Sequence, residues 1–174
     1  AWSYGRAESW NLLIPDFMGG DSGRAFTRDG EMAKALKPYG LESFAEQLPA
    51  YWGEQPYTAG PTYLGAAALF LALLGLLLAS GRNKWWIAAV SLLTLLLAWG
   101  HNFMGFTEFA FKYLPGYNKF RTVSMALVVV EWTVPLLAAL ALMPLWRGEV
   151  PRRKLLRALA WAGGITGGFC LLFA

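Results

Sequence analysis

Thr62–Ser80 reads TYLGAAALFLALLGLLLAS, nineteen positions without one charged side chain. In water such a run must be buried on every side. As a helix rising 1.5 Å per residue it matches the roughly 30 Å hydrocarbon core of a bilayer. A second run, Trp85–Trp99, and two more at about 122–146 and 155–174 repeat the pattern. Arg82-Asn83-Lys84 and Arg147–Lys154 form basic turns between them. Only 15% of the 174 residues are charged, against roughly 25% in soluble domains. The alternative, a soluble bundle of four buried helices, fits poorly with such long uncharged runs and with Trp85, Trp86 and Trp99 at their ends, where indoles favour the membrane interface. The expected fold class is all-α: a polytopic integral membrane protein with about four transmembrane helices (62–80, 85–99, 122–146 and 155–174) and a loop-rich extracytoplasmic segment.

The charges divide the chain. Residues 1–61 carry most of the acids, while Glu108, Glu131 and Glu149 are the acids beyond residue 61. Proline and glycine punctuate 1–61, leaving room for short helices at about 8–13, 31–36 and 41–48. Both basic turns belong on one side, and the positive-inside rule makes that side cytoplasmic. Residues 1–61 and the connection 100–121 then share the outer face. The connection is too aromatic for a solvated loop and predicts a short helix at 106–113 lying on the membrane surface. Basic residues separated by hydrophobic spans do not make a nucleic-acid surface. The single cysteine, Cys170, and the single histidine, His101, exclude an internal disulfide and a Cys/His zinc site. The N-terminus lacks signal-peptide character. Because the C-terminus stops within an apolar run, the chain is expected to be a fragment whose remaining helices are partners.

Several positions suggest chemistry. Glu131 lies about nine residues into the third span, roughly 13 Å below its outer end, where a carboxylate is expensive and expected to face a cavity or partner. Pro135 removes the helix hydrogen bond to the Glu131 carbonyl and should kink the helix. Lys119 and Arg121, flanked by Tyr117 and Phe120 at the entry of that span, suit a lipid phosphate, or simple interfacial anchoring. Trp52, Glu54 and Tyr57 resemble a sugar-stacking surface, although Tyr and Trp also belong at interfaces. His101 and Asn102 offer a base or donor, or a polar cap. No cofactor is evident. Asp16 and Asp21 offer carboxylates to a divalent cation, but two acids beside glycines more commonly make a turn. Gly163, Gly164, Gly167 and Gly168 suggest close helix packing.

Four longer stretches carry a family resemblance. They are Asn11–Gly20 (NLLIPDFMGG), Tyr51–Gly65 (YWGEQPYTAGPTYLG), Ala98–Met104 (AWGHNFM) and Leu114–Met125 (LPGYNKFRTVSM). The chain resembles the YfhO family of large bacterial membrane proteins through most of its length. That resemblance implies a multi-spanning glycosyltransferase of the GT-C type in the bacterial cytoplasmic membrane. Such an enzyme takes sugar from a polyprenyl-phosphate-linked donor on the outer face. It implies a lipid-phosphate role for Lys119 and Arg121. The catalytic carboxylate loop of GT-C enzymes has no counterpart here. Two other functions compete: a transporter or flippase for a lipid-linked substrate, using Glu131, and a non-catalytic envelope scaffold.

Overall fold

The computed structural model describes residues 2–27, 30–55 and 62–173. Among them every regular element is helical, and the only β pairing is two isolated bridges, Trp2 with Thr122 and Ala25 with Pro49. The α-helices are α1 (Glu31–Leu36), α2 (Ala66–Leu78), α3 (Asn83–Ala98), α4 (Met104–Tyr113), α5 (Leu127–Trp146) and α6 (Arg152–Leu172). Short 3-10 helices at Ala7–Leu12 and Glu42–Gln47 and helix α1 fall where the punctuation of the N-terminal segment leaves room for them.

Two helical stretches, Val123–Trp146 and Arg152–Leu172, are long and apolar enough to cross a membrane. A third crossing exists if α3 and Gly100–Tyr113, bent by 111° at their junction, count as one. Helix α2 differs from the 62–80 expectation. It has 13 residues, about 20 Å at 1.5 Å each. Gly65, at φ +96°, stops it from starting earlier, since L side chains avoid that region. The residues before it serve as an anchor: the amides of Leu64 and Gly65 both donate to the Leu12 carbonyl, at 3.2 and 3.1 Å. At the other end Ala79 is extended, and Lys84 Nζ donates to the Leu76 carbonyl at 2.8 Å. This places a cation on the negative end of α2.

Helix α5 is the hub. Leu127, Val130, Val134, Leu137 and Ala141 recur every three or four residues and are buried, chiefly against α2 and α3. Gly75 of α2 faces Leu137 so closely that a Cβ there would overlap the Leu137 carbonyl oxygen. Ser91 Oγ of α3 donates to Thr133 Oγ1 of α5 at 2.7 Å, an interhelical polar link of the kind that holds helices together in lipid. The expected kink does not break α5, which continues through Pro135 and Pro144. Helix α6 meets α2 through Ala158 and Ala162 against Leu74 and Leu78. Of the glycine stripe only Gly163 comes near α2, with Phe70 3.9 Å from its Cβ position, while Gly164, Gly167 and Gly168 have no described neighbour within 4 Å of one. The face away from this core is apolar, with Trp132, Leu136, Trp146, Trp161 and Leu171 exposed. Exposed large apolar side chains on two helices long enough to span are consistent with a lipid environment.

Candidate functional site

The N-terminal segment closes over one end of the bundle. Trp2–Gly5 runs extended between two helix ends. The Trp2 amide donates to the Arg121 carbonyl at 3.2 Å, the Val123 amide to the Trp2 carbonyl at 3.1 Å and the Tyr4 amide to the Ala98 carbonyl at 2.8 Å. The backbone amide of His101 donates to Ser3 Oγ at 3.0 Å, and Asn102 Nδ2 to the Tyr4 carbonyl at 3.0 Å. Trp99 Nε1 donates to Ser9 Oγ at 2.9 Å. Gly100, at φ +48°, admits the strand, because a Cβ would collide with Ser3 and Val123. Trp10 and Phe17 pack against Phe173 at the end of α6, Trp10 with a tilted ring and Phe17 edge-on. The ends of α3 and α6 and the start of α5 therefore sit under one lid, to which Leu12 ties the approach to α2.

Inside that lid lies a buried carboxylate that the sequence does not single out. Glu8 is 1% exposed. Its Oε2 accepts from the Gly5 amide at 2.5 Å, and Tyr51 Oη donates to its Oε1. Tyr51 Oη in turn accepts from the Gln55 amide at 3.0 Å. Tyr4 Oη donates to the Glu8 carbonyl at 2.7 Å. Gly53 must be glycine here, since a Cβ would overlap Glu8 Oε1 and the Tyr51 ring. The loop 51–55 is thus wrapped around Glu8. Burial pushes the Glu8 carboxyl above its ordinary range, opposed by the Gly5 hydrogen bond, while the nearby Glu54 charge pushes it further up. Burial likewise raises the Tyr4 phenol, leaving it a donor.

Glu54 is the partner. Its carboxyl carbon and that of Glu8 each lie 3.2 Å from the position a Cβ on Gly5 would take. The two carboxyls are therefore neighbours, Glu8 enclosed and Glu54 exposed. Trp52 beside them is 65% exposed, and its amide donates to the Met18 carbonyl at 3.1 Å. Tyr57 lies outside the described residues.

Lys119 and Arg121 are exposed, with no side-chain partner among the described residues. Gly116, at φ +84°, turns the chain into the Tyr117–Lys119 turn, and Tyr117 Oη fixes that turn to the Leu97 carbonyl at 3.0 Å. The extended segment Trp2–Gly5 joins the two regions: it starts on the Arg121 backbone and ends beside the Glu54 carboxyl. Asn102 is a structural tie, while the His101 side chain is exposed and lines a separate cleft with Glu108 and Lys112.

Glu131 departs from expectation. It is exposed, on the face of α5 that carries Val128, Trp132 and Leu136, and no described residue pairs with it. The cause is register: the stripe Val130, Thr133, Val134 and Leu137 takes the core, and at about 100° per residue position 131 falls on the flank of that stripe. Asp16 pairs with Arg24 at 2.8 Å, and Asp21 accepts from the Gly23 amide at 2.7 Å, the geometry of a turn. Among the described residues no three His, Cys, Asp or Glu side chains gather as a metal site.

Comparison of the chain with family models, curated proteins and solved structures finds no match.

Proposed function

We propose that this chain belongs to a membrane-embedded glycosyltransferase that moves sugar from a polyprenyl-phosphate-linked donor to an acceptor on the outer face of the bacterial cytoplasmic membrane. In this reading α2, α3, α5 and α6 cross the membrane, α2 with help from its flanking residues, and 1–61 and 100–121 are extracytoplasmic. The observation that carries the reading is the exposed Glu54 carboxylate, seated beside buried Glu8 on the lid whose other edge carries the unpaired cations Lys119 and Arg121. Sugar transfer needs those two functions. Glu54 takes the proton of the acceptor hydroxyl as its oxygen bonds to the sugar's anomeric carbon. The bond from that carbon to the phosphate oxygen breaks, and the phosphate leaves with the electron pair, stabilised by Lys119 and Arg121. Trp52 offers a ring face for a sugar to stack on. The transporter reading would need Glu131 to line a path, and Glu131 is exposed with no described partner.

The test is transfer from a polyprenyl-phosphate-linked sugar by the full chain in vesicles, measured per folded molecule. Glu54→Gln is expected to slow transfer by roughly 10²–10⁴-fold, the usual worth of a general base. Arg121→Lys is expected to impair transfer more than abundance, because Lys cannot copy the planar guanidinium fork. Wild-type rates in both variants would overturn the proposal.

A further inference from the structure

On the other side of the Tyr117 turn, away from the carboxylates, lies a two-lobed cleft. One lobe, of about 440 Å³, opens between α4 and the start of α5 and is lined by His101, Met104, Glu108, Phe111 and Lys112. The second, of about 380 Å³, is lined almost wholly by apolar groups, among them Leu114, Phe120, Met125 and Val128. Tyr117 and Val123 line both and form the ridge between them. Tyr117 is fixed there by its bond to the Leu97 carbonyl. Two apolar lobes either side of one ridge fit an amphiphile with two hydrocarbon chains better than one with a single chain.

The mouth says which head group. Glu108 and Lys112 stand one helical turn apart on α4, both exposed and both lining the first lobe. At that spacing opposite charges ordinarily pair, yet these two are not within salt-bridge distance of each other. Neither has another ionic partner among the described residues, although Lys112 lies over the Tyr113 ring at 5.4 Å. The rim therefore presents one anionic and one cationic site, neither with an ionic partner among the described residues, about 6 Å apart along the helix. A dipolar head group with a phosphate and a primary ammonium meets both: phosphate oxygens accept from Lys112, and the ammonium donates to Glu108. The stretch Gly100–Tyr113, which contains α4, is bent 111° from α3; Phe109, Phe111 and Tyr113 on it are exposed, and Tyr is a residue enriched at head-group depth.

We propose that this cleft is a seat for a zwitterionic phospholipid of the phosphatidylethanolamine class, its two chains straddling Tyr117 and its head group held between Glu108 and Lys112. The site is separate from the lipid-phosphate donor, so its test does not depend on sugar transfer. The full chain, purified in detergent, is titrated with phosphatidylethanolamine, phosphatidylglycerol, phosphatidylcholine and lysophosphatidylethanolamine, and lipid retention is read by native mass spectrometry. Phosphatidylethanolamine is expected to bind roughly ten-fold more tightly than phosphatidylglycerol, which has no ammonium for Glu108. It should also outbind phosphatidylcholine, whose methylated ammonium cannot donate, and the lysolipid, which fills one lobe. Glu108→Gln should abolish the preference over phosphatidylglycerol. Met104→Trp and Val128→Trp, at exposed positions lining one lobe each, should weaken phosphatidylethanolamine binding, while Leu136→Trp, exposed two turns further along α5, should not. Equal retention of the four lipids, a preference that survives Glu108→Gln, or equal loss in Leu136→Trp would overturn the proposal. The first of these is also what a protein segment occupying the cleft would give.

Discussion

Glu8 shows what one side chain does for the lid. Its carboxylate accepts the Gly5 amide and the Tyr51 hydroxyl and is enclosed by both. Glu8→Ala leaves those two donors without an acceptor, at a cost of about 1–3 kcal/mol for each that stays buried. Glu8→Gln keeps the shape and removes the charge. Because burial raises the carboxyl's pKa on folding, the folded lid binds the proton more tightly than the unfolded chain does. Its contribution to stability is full below the ordinary Glu range and is lost as pH rises through the raised value. Hydrogen exchange at Gly5 and Gln55 should therefore quicken from about pH 4 to pH 8, beyond the intrinsic change, in the wild type. It should do so less in Glu8→Gln; equal slopes would refute the assignment. Nothing local in the sequence marks Glu8. It is one acid among several in a polar stretch, and its burial depends on a loop more than forty positions away. Glu54, Trp52, Lys119 and Arg121 stand out in the sequence because each sits in an aromatic, glycine- or proline-marked run next to an apolar one. The depth of Glu131 along α5 is readable from the sequence, whereas the side of the helix it occupies depends on where α2 and α3 pack.

Between elements, the closest approach is α2 on α5, and Gly75 decides it. A methyl at that position meets the Leu137 carbonyl oxygen, a backbone atom that cannot rotate away. Gly75→Ala is expected to destabilise the bundle by about 1–3 kcal/mol through overpacking. Gly164→Ala, where the Cβ has open space, should be neutral or stabilise by up to roughly 1 kcal/mol, from helix propensity alone. Thermal unfolding of both variants in one detergent measures the contrast, and equal melting points would show that the contact is not tight. The contrast also explains what the helix pattern hid. Four glycines at small-residue spacing in 163–168 look like a packing stripe, and one glycine inside LALLGLLLA does not. The outcome is reversed because Ala158, Ala162 and Thr166 already form the buried face of α6, and its glycines fall beside that face. The same run shows why α2 is shorter than its apolar stretch: Leu64 and Gly65 are drawn off to Leu12.

At the scale of the whole molecule, the order of the longer helices was readable from alternating apolar runs and basic turns. The threading of Trp2–Gly5 between the ends of α3 and α5 was not. Backbone pairing of Trp2 with Thr122 and of Tyr4 with Ala98 leaves no side-chain periodicity. The lid nevertheless fixes a polarity for the bundle. It gathers residues 2–18, Ala98–Asn102 and Arg121–Val123 at one end, and the α2–α3 turn with Arg82 and Lys84 and the α5–α6 turn with Arg147, Arg152 and Arg153 both follow helices leading away from it. The basic end should face the cytoplasm, because Lys and Arg in short loops resist translocation. Single cysteines on a Cys170→Ser background test this in intact cells with a membrane-impermeant thiol reagent. Asn83→Cys and Glu149→Cys, both exposed in those turns, should react only after the membrane is opened. Glu42→Cys, exposed in the N-terminal segment, and Gly105→Cys, which has open space around it, should react without opening it. Labelling of Asn83→Cys in intact cells would invert the bundle. It would also put Glu54, Lys119 and Arg121 on the cytoplasmic side, where a transferase working on the outer face cannot use them.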